Sequence, residues 1–236
     1  MSCKDCELWK KAKINCMPTA GNLLSEVLLI GEGPGKTEDD SGIPFVGKSG
    51  RLLRQALKDG NITDFAISNV VRCRPFIIVN GREKDRPPSQ EEVDACFHYT
   101  LEDIDKMPNL KLIVCIGNVA LRAFTGRQGI TKVSGEEWKY KKIKLMPLIH
   151  PSYVLQNIAE MKRFFEHVSR IPRIVASSLT DESDFGEYII IENIGEWTKL
   201  VEKLRASKIF SYDMETNSLN PWDEDAIIKC IQFSHE

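Results

Sequence analysis

Gly31–Leu53 reads GEGPGKTEDDSGIPFVGKSGRLL, and its second half poses the question on which the fold turns. Gly42–Ser49, GIPFVGKS, fits the phosphate-binding pattern G-x-x-x-x-G-K-[ST] letter for letter. Such a loop works only where it leaves the end of a buried strand and opens a helix, so that its N–H groups wrap the phosphates. The nearest apolar run here, Val27–Ile30, ends twelve residues before Gly42, and Glu38, Asp39 and Asp40 in between would repel a triphosphate. The context argues against a nucleotide hydrolase, and the glycines need another explanation.

Outward from this stretch, four short apolar runs stand out: Val27–Ile30, Phe65–Val71, Leu110–Ile116 and Ile143–Ile149. Each is followed by a turn or polar loop and then by a helical pattern. Ser49–Leu57 sets Leu52, Leu53, Ala56 and Leu57 on one stripe. Ser89–Glu92 has capping-box spacing and opens a helix through Val93, Cys96 and Leu101. Asn118–Phe124 and Val154–Val168 predict two more helices. Strand–helix alternation of this kind predicts an α/β fold, a parallel sheet covered on both faces. Ligands then collect at the carboxyl ends of the strands. After Arg170 the pattern changes: Ile171–Arg173 and then SSLTDESDFGE read as a linker over 171–186. A new strand–helix–strand unit, a partial second α/β unit, follows over 187–236.

Composition sets outer limits. Across 236 residues, 42% hydrophobic and 28% charged content are ordinary for a globular chain. No apolar run is long enough to span a bilayer, and Met1–Asp5 starts no secretory signal. The expected compartment is therefore the cytoplasm, where thiols stay reduced and seven cysteines serve as ligands or packing. The net charge of −2 hides a balance of +6 over residues 1–180 and −8 over 181–236, which suggests two units with different partners.

Cys3 and Cys6 form a C-x-x-C pair, while Cys73 follows a strand signal and Cys96 lies inside the capped helix. Two close cysteines and two isolated ones can surround one site, and four thiolates suit either zinc or an iron–sulfur cluster. A redox pair or no site at all is also compatible with a lone C-x-x-C. Cys16, Cys115 and Cys230 read as packing.

Three segments together, Gly31–Leu53, Asn69–Pro75 (NVVRCRP) and His150–Leu155 (HPSYVL), resemble the family 4 uracil-DNA glycosylases, the iron–sulfur members of their superfamily. The resemblance covers about residues 1–170. It implies a three-layer αβα sandwich with a central four-stranded parallel sheet, and hydrolysis of the N-glycosidic bond of deoxyuridine in DNA by base flipping, leaving an abasic site. The bond cleavage puts negative charge on the uracil ring, so donors to its O2 are needed. His150, at the end of the fourth strand, can supply one. By the same resemblance Glu32 and Gly33 line the place where water attacks, and Phe45 stacks on the uracil face. Asn69 reads the uracil edge, its amide giving a donor to O4 and an acceptor for N3–H. Glu38 corresponds to an acidic position near the uracil C5 edge. Lys48, Arg51 and the helix start at Ser49–Leu52 are placed to take phosphates. Ser152 and Tyr153 belong to a loop that presses into the duplex. Lys139, Lys141, Lys142 and Lys144 read as an exposed strand edge. Cys3, Cys6, Cys73 and Cys96 match the family's four [4Fe–4S] ligands. Two departures stand out: the segment between Cys73 and Cys96 is longer than the family usually shows, and Gln156 stands where many members carry arginine.

The tail adds a second resemblance. FSYDMETNSLNPWD, from Phe210, is similar to the first motif of the proofreading exonuclease domain of family A DNA polymerases. Asp213 and Glu215 would bind Mg²⁺ or Mn²⁺ of a two-metal site, which needs further carboxylates from later motifs. The tail then reads as the truncated opening of an exonuclease-like domain, in a glycosylase–polymerase arrangement of the kind some phages carry. The implied partners are uracil-containing DNA and a DNA polymerase in cis or in trans, with no membrane and a monomeric chain, in a bacterial or phage-infected cell. The competing expectation is a catalytically weak uracil- or DNA-binding module of a polymerase.

Overall fold

The computed structural model describes residues 3–177, 194–206, 210–216 and 228–235. They fall into two compact units divided between Leu179 and Thr180.

The first unit opens with strands β1 (Ala20–Gly21) and β2 (Val27–Gly31), then helices α1 (Lys36–Ser41) and α2 (Lys48–Asp59). Strands β3 (Ala66–Asn69), β4 (Phe76–Val79) and β5 (Arg82–Asp85) lead into α3 (Gln90–Asp105). Next come β6 (Leu112–Ile116), α4 (Asn118–Thr125), α5 (Ile130–Val133), β7 (Trp138–Tyr140) and β8 (Ile143–Leu148). Helices α6 (Pro151–Gln156), α7 (Met161–Ser169) and α8 (Ile171–Ala176) close the unit.

The four apolar runs become β3, β2, β6 and β8, hydrogen-bonded side by side in that order and all parallel. Short β1 and β7 extend the sheet at its two edges, both antiparallel. The strand period of two divides the core. Leu29, Ile67, Val114 and Met146 sit in one cross-strand row and pack with α2, α6, α7 and α8. Leu28, Ala66, Ile113 and Leu145 form the row behind it and pack with α3 and α4. Strands buried on both faces read as unbroken apolar runs. The apolar stripe of α2 faces inward as expected, with Leu53, Ala56 and Leu57 buried. The capping box of α3 forms as spelled: the Ser89 hydroxyl accepts from the Glu92 N–H, and the Glu92 carboxylate accepts from the Ser89 N–H.

Three expectations change. The single helix over Val154–Val168 is two, α6 and α7, separated by a 3₁₀ turn at Ile158–Glu160. Asn157 leaves the helical region at φ −130°, ψ 80°, and its amide bonds the Tyr153 carbonyl, the local competition that makes asparagine a poor helix interior residue. The expected linker begins with α8 instead. Pro172 occupies its first turn, where no N–H partner is needed, while Ile171 and Ile174 are buried. Lys144, expected on an exposed edge, is buried: its ammonium donates to the Ile174 carbonyl at 2.6 Å, the Ser177 hydroxyl at 2.6 Å and the Ser177 carbonyl. It holds the carboxyl end of α8, where orphan carbonyls attract a cation.

In the second unit, α9 (Ile194–Ala206) precedes β9 (Phe210–Thr216) and β10 (Ile228–His235), which pair antiparallel. Asp213 and Glu215 lie two apart on β9, opposite Gln232 and Cys230. Most of SSLTDESDFGE, the strand expected at EYIII and the stretch NSLNPWD lie outside the described residues. No described helix is long and apolar enough to cross a membrane.

Candidate active site

A cleft of about 810 Å³ opens at the carboxyl ends of the parallel strands, lined among others by Glu32, Phe45, Asn69 and His150. Two of its lining side chains, Phe45 and Asn69, close against a glycine. A Cβ built on Gly31, the last residue of β2, would lie 2.3 Å from Phe45 Cζ and 2.6 Å from Asn69 Oδ1, so only glycine lets these two side chains close on the strand end. Asn69 ends β3 and is 4% exposed, and among the described residues no group bonds its amide.

Phe45 is held at φ 55°, a left-handed conformation costly for a bulky residue. The neighbouring chain enforces it. The Glu38 carboxylate accepts from the N–H groups of Val46 at 3.1 Å and Gly47 at 2.7 Å. From the other side Arg54 donates to the carbonyls of Phe45 and Pro44, and Arg51 to that of Val46. Gly50 lets α2 approach this loop: a Cβ there would meet the Phe45 carbonyl carbon and oxygen at 2.1 Å. No strand precedes the loop. It follows α1, whose end is the left-handed Gly42 at φ 74°. The Walker-like letters thus spell a clamp that fixes an aromatic ring.

His150 caps α6. Its Nδ1 accepts from the Ser152 N–H at 3.1 Å and lies 2.6 Å from the Ser152 hydroxyl. An accepting Nδ1 puts the proton on Nε2. Burial holds the imidazole far below its usual range, at about 4, so it is neutral at physiological pH. Its ring centroid is 6.4 Å from that of Phe45. Gly117, at φ 90° after β6, gives it room: a Cβ there would lie 3.3 Å from His150 Cβ. Burial raises the pKa of Glu32 on the same cleft wall, and no cation among the described residues offsets it. The arrangement offers an aromatic face, an unpaired amide, a neutral N–H donor and a carboxyl of raised proton affinity around one cavity.

The family model of the uracil DNA glycosylase superfamily matches residues 18–170. The type-4 uracil-DNA glycosylase of Sulfurisphaera tokodaii is 38% identical over 170 residues, 66% of this chain and 73% of the relative. That of Thermotoga maritima is 40% identical over 151 residues, 61% of this chain and 74% of the relative. The chain belongs to the type-4 uracil-DNA glycosylases. A DNA polymerase of Bacillus phage SP01 is similar over a wider span at lower identity, 22% over 223 residues, 90% of this chain and 23% of the polymerase.

In this type-4 glycosylase the remaining expected site residues separate. Gly33 lines the cleft against Pro75, and Lys48 and Tyr153 stand exposed on its rim. Arg51 does not line it; its guanidinium serves the Phe45 loop. Glu38 lines the cleft but spends one oxygen on the same loop. Ser152 is the partner that orients His150. Asp39 is buried and accepts from the N–H groups of Lys13 and Ile14. The long-range roles of Gly31, Gly50 and Gly117 carry no local signal, because their constraint comes from residues distant in sequence.

The glycosylase's cysteines draw together around the amino-terminal segment. The Asn15 side chain donates to the Cys3 carbonyl at 3.0 Å and accepts a long contact from the Cys73 thiol. Backbone N–H groups are aimed at two sulfurs, Cys16 N–H at Cys73 and Arg72 N–H at Cys96, both at 3.2 Å. Burial pushes the Cys73 thiol up to about 11 and Cys96 to about 12, and the thiols raise one another further. Among the described residues no three His, Cys, Asp or Glu side chains are drawn tight enough to hold a single ion. The donor set still fits a group that takes thiolates: the sulfurs already receive N–H bonds, and the buried Nε of Arg72, in electrostatic range of Cys96, has no partner. Cys16, expected as core packing, instead lies beside Cys73 at a left-handed φ of 54°. Cys115 is fully buried in β6, as expected. Cys230 lies on β10.

Proposed function

We infer that this chain is a uracil-DNA glycosylase, hydrolysing the N-glycosidic bond of deoxyuridine in DNA and leaving an abasic site. The observation that carries it is the neutral, Nε2-protonated His150 sharing one cavity with Phe45 and the unpaired amide of Asn69. A uracil flipped into this cavity stacks on Phe45, while the Asn69 amide donates to O4 and accepts from N3–H. As the bond to the sugar lengthens, negative charge grows on uracil O2 and His150 Nε2–H meets it. A neutral donor strengthens that bond as charge develops without holding a cation in a buried site. Glu32 orients the water that takes the sugar carbon, beside Gly33. Glu38 fixes the loop at the uracil C5 edge. Lys48 and Tyr153 on the exposed rim meet the DNA, Ser152 acts there through His150, and Arg51, bonded to the Val46 carbonyl, keeps the Phe45 loop in place beside them.

Cys3, Cys6, Cys73 and Cys96 would hold a [4Fe–4S] cluster as its four thiolate ligands, and its role would be structural, with these cysteines tying the amino-terminal segment to α3. Helices packed on both sheet faces support the three-layer αβα reading, with the glycosylase unit running through α8. The span of similarity to the phage polymerase supports a second reading of the tail. Residues 187–236 are the start of an exonuclease-like unit, with Asp213 and Glu215 as two of its Mg²⁺ or Mn²⁺ ligands, linked to a polymerase.

The test is incubation with a single-uracil oligonucleotide, read as alkali-labile strand breaks. Breaks from the native chain that vanish in His150→Ala are expected. An iron-loaded preparation that binds DNA and yields no breaks would replace the enzyme by a uracil- or DNA-binding module.

A further inference from the structure

The long segment between Cys73 and Cys96 contains a β-ribbon with no part in the chemistry above. Strands β4 and β5 pair Phe76 with Asp85, Ile77 with Lys84, Ile78 with Glu83 and Val79 with Arg82. Asn80 and Gly81 join them with φ of 50° and 74°, the two positive values of a two-residue type I′ turn. Alternation then separates two faces.

The face with Phe76, Glu83 and Asp85 is tied to the domain. Buried Arg74 bonds Glu83 at 2.7 Å and Asp85 at 2.6 Å and stacks on Phe76, and Lys36 bonds Glu83 at 2.9 Å. Both acidic charges are thereby met. The opposite face carries Ile77, Val79, Arg82 and Lys84, all exposed, and neither cation has a partner among the described residues. On this outer face Ile77 and Val79 are 44% and 43% exposed, while Ile78, on the face with Glu83, is 72% exposed, and so exposed a β-branched strand invites unwanted pairing unless something else covers it. The root of the ribbon is the rim of the cleft, since Pro75, Asp85 and Arg86 line it.

We propose that this outer face is a second DNA-contact surface, which takes the strand flanking the flipped nucleotide as it leaves the cleft. Arg82 and Lys84 meet phosphates, while Ile77 and Val79 cover sugar and base faces. Two unpaired cations interleaved with two aliphatic side chains, continuous with the base cavity, match a polyanion with apolar faces better than they match a protein surface. The proposal rests on the glycosylase reading.

The experiment uses the full chain and an oligonucleotide carrying an uncleavable abasic analogue, with binding followed by fluorescence anisotropy at several salt concentrations. Arg82→Ser/Lys84→Ser is expected to weaken binding about tenfold and to reduce the slope of log K against log [salt] by about 1.8 on duplex, roughly 0.9 per lost phosphate contact. Ile77→Ser/Val79→Ser is expected to weaken binding without changing the slope. Uracil release from a substrate too short to reach the ribbon should equal that of the native chain in both variants. Unchanged affinity and slope on the long substrate overturn the proposal, as does an equal loss of activity on the short one. Absence of uracil release by the native chain on any substrate is a different failure, that of the glycosylase reading itself.

Discussion

Ser152 holds His150 twice through the same ring nitrogen, by its backbone N–H at 3.1 Å and its hydroxyl at 2.6 Å. Both contacts engage the lone pair of Nδ1 as acceptor and leave the proton on Nε2. Helix capping and the orientation of the imidazole are therefore one interaction: the N–H that starts α6 also selects the tautomer.

A pH dependence follows. The folded pKa of about 4 lies below the ordinary 6.5, so between these values the unfolded chain binds the extra proton. The His150 contribution to stability is complete above about pH 6.5 and is lost as pH falls toward 4, by roughly 3–3.5 kcal/mol at 1.36 kcal/mol per pKa unit. The kcat/KM profile should show no acid limb near 6.5 from this residue. The acid limb should belong to Glu32 instead, above the ordinary carboxylate range because burial raises it. Glu32→Gln should remove that limb, while His150→Ala should lower kcat about 10²–10³-fold at every pH, the usual loss for one such donor. A limb near 6.5 that disappears in His150→Ala would contradict the neutral-histidine assignment.

Gly31→Ala should close the pocket. Its methyl group falls 2.3 Å from Phe45 Cζ and 2.6 Å from Asn69 Oδ1, so one or both must move out of register with the base. Overpacking of this kind costs about 1–3 kcal/mol of stability. The expected result is a protein that melts slightly lower but has lost uracil release by 100-fold or more, as for a misplacement of about 1 Å. Retained activity would mean that the uracil lies elsewhere in the cleft.

Cys96→Ser tests the thiol set. Iron content and visible absorbance of the purified protein should both fall, and thermal stability should fall with them, because the amino-terminal segment loses its tie to α3. Cys115→Ser, on a strand outside the set, should leave iron content unchanged. Equal iron in the native chain and Cys96→Ser would remove Cys96 as a ligand.

Lys144→Met removes three donors from the carboxyl end of α8 and leaves the Ile174 and Ser177 carbonyls to find other partners. A destabilisation of about 1–3 kcal/mol is expected in denaturant melts. KM for uracil DNA should not change, because the site of the substitution lies away from the cleft. An unchanged melt would show that water replaces the ammonium without loss.

The parallel sheet was legible because its four strands are buried on both faces and so appear as unbroken apolar runs. The start of α3 was legible because Ser89 and Glu92 carry their geometry in four residues. Boundaries set by distant partners were not legible. Nothing local in IPRIVAS announces a helix, since α8 exists by burying Ile171 and Ile174 and by receiving the Lys144 ammonium. Lys144 itself looked like an edge lysine beside Lys139, Lys141 and Lys142, and only packing made it internal.

The sequence alone determined the strand–helix order and, through the family resemblance, put forward Phe45, Asn69, His150 and the four cysteines as candidates, because chemistry resides in residue type and order. Tertiary structure decided how those residues act. It brought a loop, two strand ends and a helix cap around Gly31, turned Phe45 to a left-handed φ through Glu38, Arg51 and Arg54, and buried His150 until its neutral form prevailed. Each of these depends on contacts between segments far apart in the chain. Distance and burial set proton affinity and orientation, and neither is written in local sequence.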